Sequence, residues 1–224
     1  MAEGAFSIFI SEAKRGFNTT GAVLPSSPFL AREITKPFRS RTKPARILEV
    51  GPGTGVFTRL LVPDIKKNEY LKIVELNNAF VTHLSNRLEK DPEWLCKKDN
   101  VEIVCSAIEN LNLEEKYDFI ICALPFNNFP ASTVRSIFRI FEQVCKPGAV
   151  ISFFEYLALR DVKVRFSSPE EKLRLSSVAL GTKRFLSKHK RSRNVVFLNF
   201  PPALVHHVRV NKKDSSHASK DIKA

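Results

Sequence analysis

The run Ile47-Leu48-Glu49-Val50-Gly51-Pro52-Gly53-Thr54-Gly55 puts three glycines within five positions of a chain that has eight among 224 residues. Apolar residues lead directly into the glycines, and a helical pattern, Val56 to Leu61, follows them. That order suits a buried strand, a tight loop whose backbone can approach a nucleotide-like ligand, and a helix. Glu49 lies inside the strand, just ahead of the loop. Glu75 closes the next apolar run, 20 residues after Gly55, where a carboxylate can accept hydrogen bonds from both hydroxyls of an adenosine ribose. No Gly-Lys-Ser/Thr follows the glycines, so a P-loop phosphate cradle is not expected. Cys96, Cys105, Cys122 and Cys145 form no Cys-x-x-Cys pair, and His83 and His189 lie far from them. Reduced thiols, with no metal site and no disulfide framework, are the expectation.

The elements that must position these residues recur at regular intervals. Short apolar runs at 46–50, 71–76, 101–105 and 117–122 alternate with amphipathic patterns, and a fifth run, 149–156, follows the turn signal Lys146-Pro147-Gly148. Continuous apolar runs suit strands buried on both faces of a parallel sheet. Phe80, Val81, Leu84 and Leu88, and then Val134, Ile137, Phe138 and Phe141, repeat at helical spacing. The result is a doubly wound α/β domain. Further along, Ser168 and Pro169 open a helix expected to reach about Leu180. Two closing strands are expected at 195–198 and 203–210, followed by a polar, disordered tail at 211–224.

Charge is unevenly placed. The chain carries 36 Lys and Arg against 23 Asp and Glu, net +13, with a pI near 9.8. Residues 1–150 hold 20 basic and 17 acidic side chains, net +3; residues 151–224 hold 16 and 6, net +10. Such an excess points to a polyanionic partner, nucleic acid or an anionic lipid surface. No apolar run reaches the roughly 18 residues of a membrane span, and Glu12, Lys14 and Arg15 interrupt the N-terminus too early for a signal peptide. Phe6, Phe9, Ile10, Ala13 and Phe17 form one apolar stripe, either a helix packed on the core or an interfacial membrane helix. Behind it, Ser27 can cap a helix that begins at Pro28.

Glu49-Val50-Gly51-Pro52-Gly53-Thr54-Gly55 resembles the first motif of the class I S-adenosylmethionine-dependent methyltransferases, E/D-x-G-x-G-x-G. Within that superfamily the chain resembles the bacterial phospholipid N-methyltransferases, on Thr20 to Pro28, Leu48 to Phe57, Ala123-Leu124-Pro125-Phe126-Asn127-Asn128-Phe129-Pro130 and Asn199 to Ala203. The resemblance implies a Rossmann-like fold with a central, mostly parallel seven-stranded sheet flanked by helices. It divides the chain into an N-terminal membrane-binding arm with a capping helix (1–40), the methyltransferase domain (41–210) and the tail. It implies S-adenosylmethionine as cofactor and S-adenosylhomocysteine as product, held by Ser26, Ser27, Glu49, Gly51, Gly53, Thr54, Gly55, Glu75, Leu76, Ser106, Ala107, Ile108, Ala123, Leu124 and Pro125. One departure stands out: the turn after the third strand reads Cys105-Ser106-Ala107-Ile108 where the family has an acidic adenine contact, leaving Ser106 or Glu109 to serve.

The implied reaction is stepwise N-methylation of phosphatidylethanolamine toward phosphatidylcholine at the cytoplasmic face of the membrane. The amine must lose a proton first, and Tyr156, with Glu155 as a helper, is the candidate acceptor. Phe126 and Phe129 could wall the quaternary product by cation–π attraction, with Asn128 beside them in the transfer site. Phe6, Phe9, Ile10, Lys14, Arg15 and Phe17, and the basic cluster with Lys183, Arg184, Lys188, Lys190, Arg191 and Arg193, would hold the membrane. No nucleic acid and no obligate protein partner are expected. The rival is an rRNA adenine N6-methyltransferase, whose motif needs Asn or Asp where this chain has Ala123. A non-catalytic membrane-binding protein on the same fold is the second rival, disfavoured by retention of Glu49 and Glu75.

Overall fold

The computed structural model describes residues 26–157 and 168–211. The arm residues Phe6, Phe9, Ile10, Lys14, Arg15 and Phe17 and the tail from 212 lie outside the described residues, so those expectations rest on the sequence.

Seven strands form one sheet: β1 (Arg46–Val50), β2 (Tyr70–Glu75), β3 (Val101–Cys105), β4 (Tyr117–Cys122), β5 (Cys145–Tyr156), β6 (Lys190–Val196) and β7 (Ala203–Arg209). Their spatial order is β3-β2-β1-β4-β5-β7-β6. The first five pair in parallel, and β7 runs antiparallel to both β5 and β6. From β1 the chain winds outward to β2 and β3, then returns to β4 on its other side. That reversal leaves a crevice beyond the carboxyl ends of β1 and β4, the place where open α/β sheets bind ligands.

Helices cover both faces, which is why the central strands read as continuous apolar runs. One face carries α1 (Pro28–Arg39), α2 (Thr58–Leu61), α3 (Asn78–Lys90) and α4 (Pro92–Leu95), over a core that includes Leu30, Ile34, Phe38, Ile47, Ile73, Leu84 and Trp94. The other carries α5 (Ala131–Val144) and α6 (Pro169–Ser187), where Phe138 stacks on Phe185 with ring centroids 4.2 Å apart. Ser27 caps α1, its Oγ accepting from Leu30 N at 3.2 Å, and Ser168 caps α6 in the same way from Glu171 N at 3.3 Å.

Three boundaries differ from the expectation, each for a physical reason. The Lys146-Pro147-Gly148 signal is not a turn ahead of β5 but an irregularity inside it: Gly148 has φ +82° and the register with β4 shifts between Tyr117 and Phe119. Helix α6 runs on to Ser187, taking in Lys183 and Arg184. The sixth strand lies at 190–196 rather than 195–198, because six of its seven residues are exposed and it buries too little side chain to need an apolar run. Phe197 and Leu198 consequently fall in the β6–β7 connection.

Candidate functional site

Strand β1 delivers the glycine loop to the crevice. Gly51, Gly53 and Gly55 all adopt left-handed φ, +67°, +58° and +79°, which side chains other than glycine rarely accept. Their surroundings differ. A Cβ on Gly51 would lie 2.5 Å from Leu124 Cδ2, and one on Gly55 would lie 2.6 Å from Leu84 Cδ2, so both are demanded by packing. On Gly53 it would meet nothing within 4 Å. Gly53 is the position where backbone faces open space.

Two carboxylates brace the loop. Glu75, at the end of β2, accepts from Gly53 N at 3.1 Å through Oε2 and from Asn77 N at 2.8 Å through Oε1. Four lone-pair sites leave a carboxylate with such bonds room to accept from a diol. Glu49 is fully buried; its Oε2 accepts from Thr58 Oγ1 at 2.8 Å, while Oε1 has no partner. Burial pushes the Glu49 carboxyl up to about 8, with a smaller contribution from the Glu75 charge and opposed by the Thr58 hydroxyl. The open backbone at Gly53 beside the Glu75 carboxylate fits a ligand that carries a ribose diol.

The other walls come from the ends of β2, β3 and β4. Half-buried Leu76 follows Glu75. Ser106 N donates to Glu75 O at 3.0 Å and its Oγ to Ala107 O at 3.1 Å, while Ile108 is buried and Glu109 exposed. Ala123 N donates to Val50 O at 2.9 Å, which sets Ala123, Leu124 and Pro125 beside the glycine loop. Thr54 is exposed on that loop. Ser26 and Ser27 reach the same end of the sheet: the Ser26 hydroxyl bonds Tyr156, and Ser27 N donates to Asn199 Oδ1 at 2.8 Å.

Some expected roles are corrected. Phe126 is a core ring, 3% exposed and packed on Phe138 and Phe153 at centroid distances of 4.9 and 5.6 Å, so it offers no open face to a cation. Phe129 is likewise buried. Burial raises the Tyr156 phenol above its ordinary pKa, opposed by the Ser26 hydroxyl; a neutral phenol is a poor base at neutral pH. Glu155 turns to the opposite face of β5, its Oε2 3.4 Å from His206 Nε2, and cannot assist Tyr156. Lys188 pairs with Glu142 at 3.3 Å, whereas Lys190, Arg191 and Arg193 stand exposed on β6.

Two contributors had no sequence signal. Thr58 is the sole hydrogen-bond partner of the Glu49 side chain among the described residues. Arg174, on α6, donates to Asn127 O at 2.8 Å and Phe129 O at 2.7 Å, and so fixes the turn Phe126–Asn128 that carries Asn128. Nothing local marks an arginine 45 residues away as a partner of that turn.

Residues 47–148 match the family model of the methyltransferase domain. These residues are a methyltransferase domain. Over 150 residues the chain is 23% identical to an ornithine lipid N-methyltransferase of Singulisphaera acidiphila, covering 66% of this chain and 76% of that protein. Over 147 residues it is 27% identical to a malonyl-[acyl-carrier protein] O-methyltransferase of Priestia megaterium; that covers 65% of this chain and spans half of that relative. The N-methyltransferase NodS of Bradyrhizobium japonicum, in complex with S-adenosylhomocysteine, superposes with a TM-score of 0.62 at 16% identity, over 91% of this chain and 99% of that one. The O-methyltransferase TomG of Streptomyces achromogenes, in complex with S-adenosylmethionine, gives 0.62 at 17% identity, over 90% and 87%. Strand order and likeness agree on the Rossmann-like methyltransferase fold, with its seven-stranded, mostly parallel sheet. Among the described residues no cluster of His, Cys, Asp and Glu is placed to hold a metal, and no helix is long and apolar enough to cross a membrane.

Proposed function

We propose that this methyltransferase domain N-methylates the amine of a phospholipid headgroup, phosphatidylethanolamine first, while attached peripherally to the cytoplasmic face of the membrane. The enzyme is an S-adenosylmethionine-dependent methyltransferase, and S-adenosylmethionine is its cofactor. When bound, that cofactor supplies an electrophilic methyl group on a sulfonium. Gly53 admits it and Glu75 accepts from its ribose, while the buried Glu49 holds Thr58 beneath the loop.

The observation that carries the lipid reading is the apolar wall beside the loop. Ala123, Leu124 and Pro125 present no polar side chain where a nucleobase amine would have to be held, and a lipid amine asks for none. Apolar walls do further work: they disfavour an ammonium, whose pKa lies well above neutrality, and so help release its proton to water. With the amine neutral, transfer depends on aligning its lone pair with the methyl–sulfur bond. Tyr156, a neutral phenol, can accept a hydrogen bond from the amine and orient it without acting as the base.

A second reading has its own support. The relative from Singulisphaera acidiphila acts on ornithine lipid, which also presents an amine at a bilayer surface. Incubation of the enzyme and labelled S-adenosylmethionine with vesicles of phosphatidylethanolamine, vesicles of ornithine lipid, or ribosomal RNA separates the cases. Label in phosphatidylethanolamine is expected. Label in ornithine lipid alone moves the substrate to the second reading, and label in RNA alone overturns both.

A further inference from the structure

The β6–β7 connection is built against the usual logic of a soluble surface. Phe197, Leu198 and Phe200 are 77%, 66% and 76% exposed within four residues. Single exposed apolar residues are ordinary, but a contiguous group marks an interaction surface. This group extends to its neighbours. Leu157, the residue after β5, donates its N–H to Pro202 O at 2.9 Å, and Phe29, two residues beyond Ser27, adds a further exposed ring on α1.

The tip is held rigidly although its apolar side chains are not packed. Asn199 between them is 5% exposed, accepting from Ser27 N and donating to Pro201 O at 2.7 Å. One polar residue turned inward among three apolar residues turned outward presents the latter as a fixed projection.

Strand direction decides where the projection points. Strand β6 is antiparallel to β7, and β7 to β5, so β6 runs the same way as the parallel strands and its tip lies at the carboxyl end of the sheet. That end carries the Gly51–Gly55 loop. Behind the tip, on the outermost strand, Lys190, Arg191 and Arg193 are exposed with no acid on β6 among them. At about 3.3 Å per residue, Arg193 stands roughly 13 Å behind Phe197. Interfacial segments bury apolar side chains about 5–10 Å into the headgroup and acyl boundary. Arg193 then meets the lipid phosphates, and Arg191 and Lys190, farther back on the strand, add longer-range attraction to an anionic leaflet.

The geometry points to an insertion element: the Phe197–Phe200 tip with Phe29 enters an anionic phospholipid surface and sets the open end of the sheet against it. Resting on the lipid-amine reading, this also solves access. Drawing a diacyl lipid from its bilayer costs about 0.8 kcal/mol for each buried CH2, whereas a site turned toward the membrane receives the headgroup in place.

The test needs no turnover. Vesicles of phosphatidylglycerol alone carry the charge but no amine. The full chain is expected to sediment with them, and the F197S/L198S/F200S variant to lose at least tenfold in affinity, with an unchanged melting temperature and unchanged S-adenosylhomocysteine binding. Phe197→Trp should be quenched by bromine-labelled acyl chains, whereas Trp94, 1% exposed, should not. Equal vesicle binding by the triple variant, with binding lost on deleting residues 1–17, places the contact in the arm and overturns the inference. A dimer abolished by the triple variant, with vesicle binding intact, assigns the tip to a second copy and overturns it too. Tip-dependent binding without methylation of phosphatidylethanolamine leaves the insertion element standing and fails the substrate reading alone.

Discussion

Glu75 Oε2 accepts a hydrogen bond from Gly53 N, so the acid that ends the second strand holds the glycine loop in shape as well as facing the crevice. With Glu75 proposed as the ribose acceptor, binding and loop geometry share one side chain. Glu75→Ala is expected to reduce S-adenosylhomocysteine affinity at least tenfold and to lower stability by about 1 kcal/mol for each backbone donor left without its acceptor. Titration calorimetry and urea unfolding check the two effects separately. A large loss of affinity with no loss of stability would mean that Gly53 N and Asn77 N do not depend on Glu75.

The glycines make a sharper contrast. Gly53→Ala places a methyl group in open space at a left-handed φ, which costs roughly 1–2 kcal/mol; at about 2–4 °C per kcal/mol for a domain of this size, the melting temperature should fall by only a few degrees. Cofactor affinity should fall at least tenfold, because we propose that the cofactor approaches through that space. Gly51→Ala drives a Cβ into Leu124 and should cost more stability. Equal melting temperatures for the two variants would contradict the difference in their surroundings.

Much of this arrangement can be read in the sequence, and the limits follow from burial. Strands β1, β2 and β4 announce themselves as apolar runs because helices cover both their faces, β3 because its side chains stay mostly part-covered although it lies at one edge, and the glycine loop because a tight approach leaves few alternatives. Strand β6 does not, since an edge strand of Lys, Arg, Ser and Asn looks like a solvated loop until its ladder with β7 is seen. The aromatic residues of 126–129 look alike in sequence whether they line a site or fill a core; only the contacts of Phe126 with Phe138 and Phe153 decide. Long-range partners such as Arg174 leave no spacing to detect.

Arg174 supplies a prediction that separates positioning from binding. Its guanidinium joins α6 to the carbonyls of Asn127 and Phe129 and pairs with Glu171 at 2.6 Å. A displacement of the order of 1 Å at a reacting site can cost about a hundredfold in rate. Arg174→Gln is expected to lower kcat roughly 10- to 100-fold with S-adenosylhomocysteine affinity within about twofold, and Arg174→Lys to recover part of the loss. Equal falls in affinity and kcat would show that the helix, rather than the turn alone, had moved.

Glu49 ties the site to pH. Its folded carboxyl titrates near 8 against an ordinary value of 4.5, because burial disfavours its charge. An acid raised in the folded state stabilises the fold most below its unfolded pKa, and that contribution is lost as pH rises toward the folded value. The apo enzyme should therefore lose stability between about pH 4.5 and 8 and level off above. Glu49→Gln keeps an acceptor for Thr58 and removes the titration. Whatever constant difference the amide introduces, the melting temperature of Glu49→Gln relative to the unaltered enzyme should rise by several degrees from pH 5 to pH 8.5, measured without cofactor. A difference that stays flat over that range would mean Glu49 is already ionised in the folded protein, and that its Oε1 has a partner.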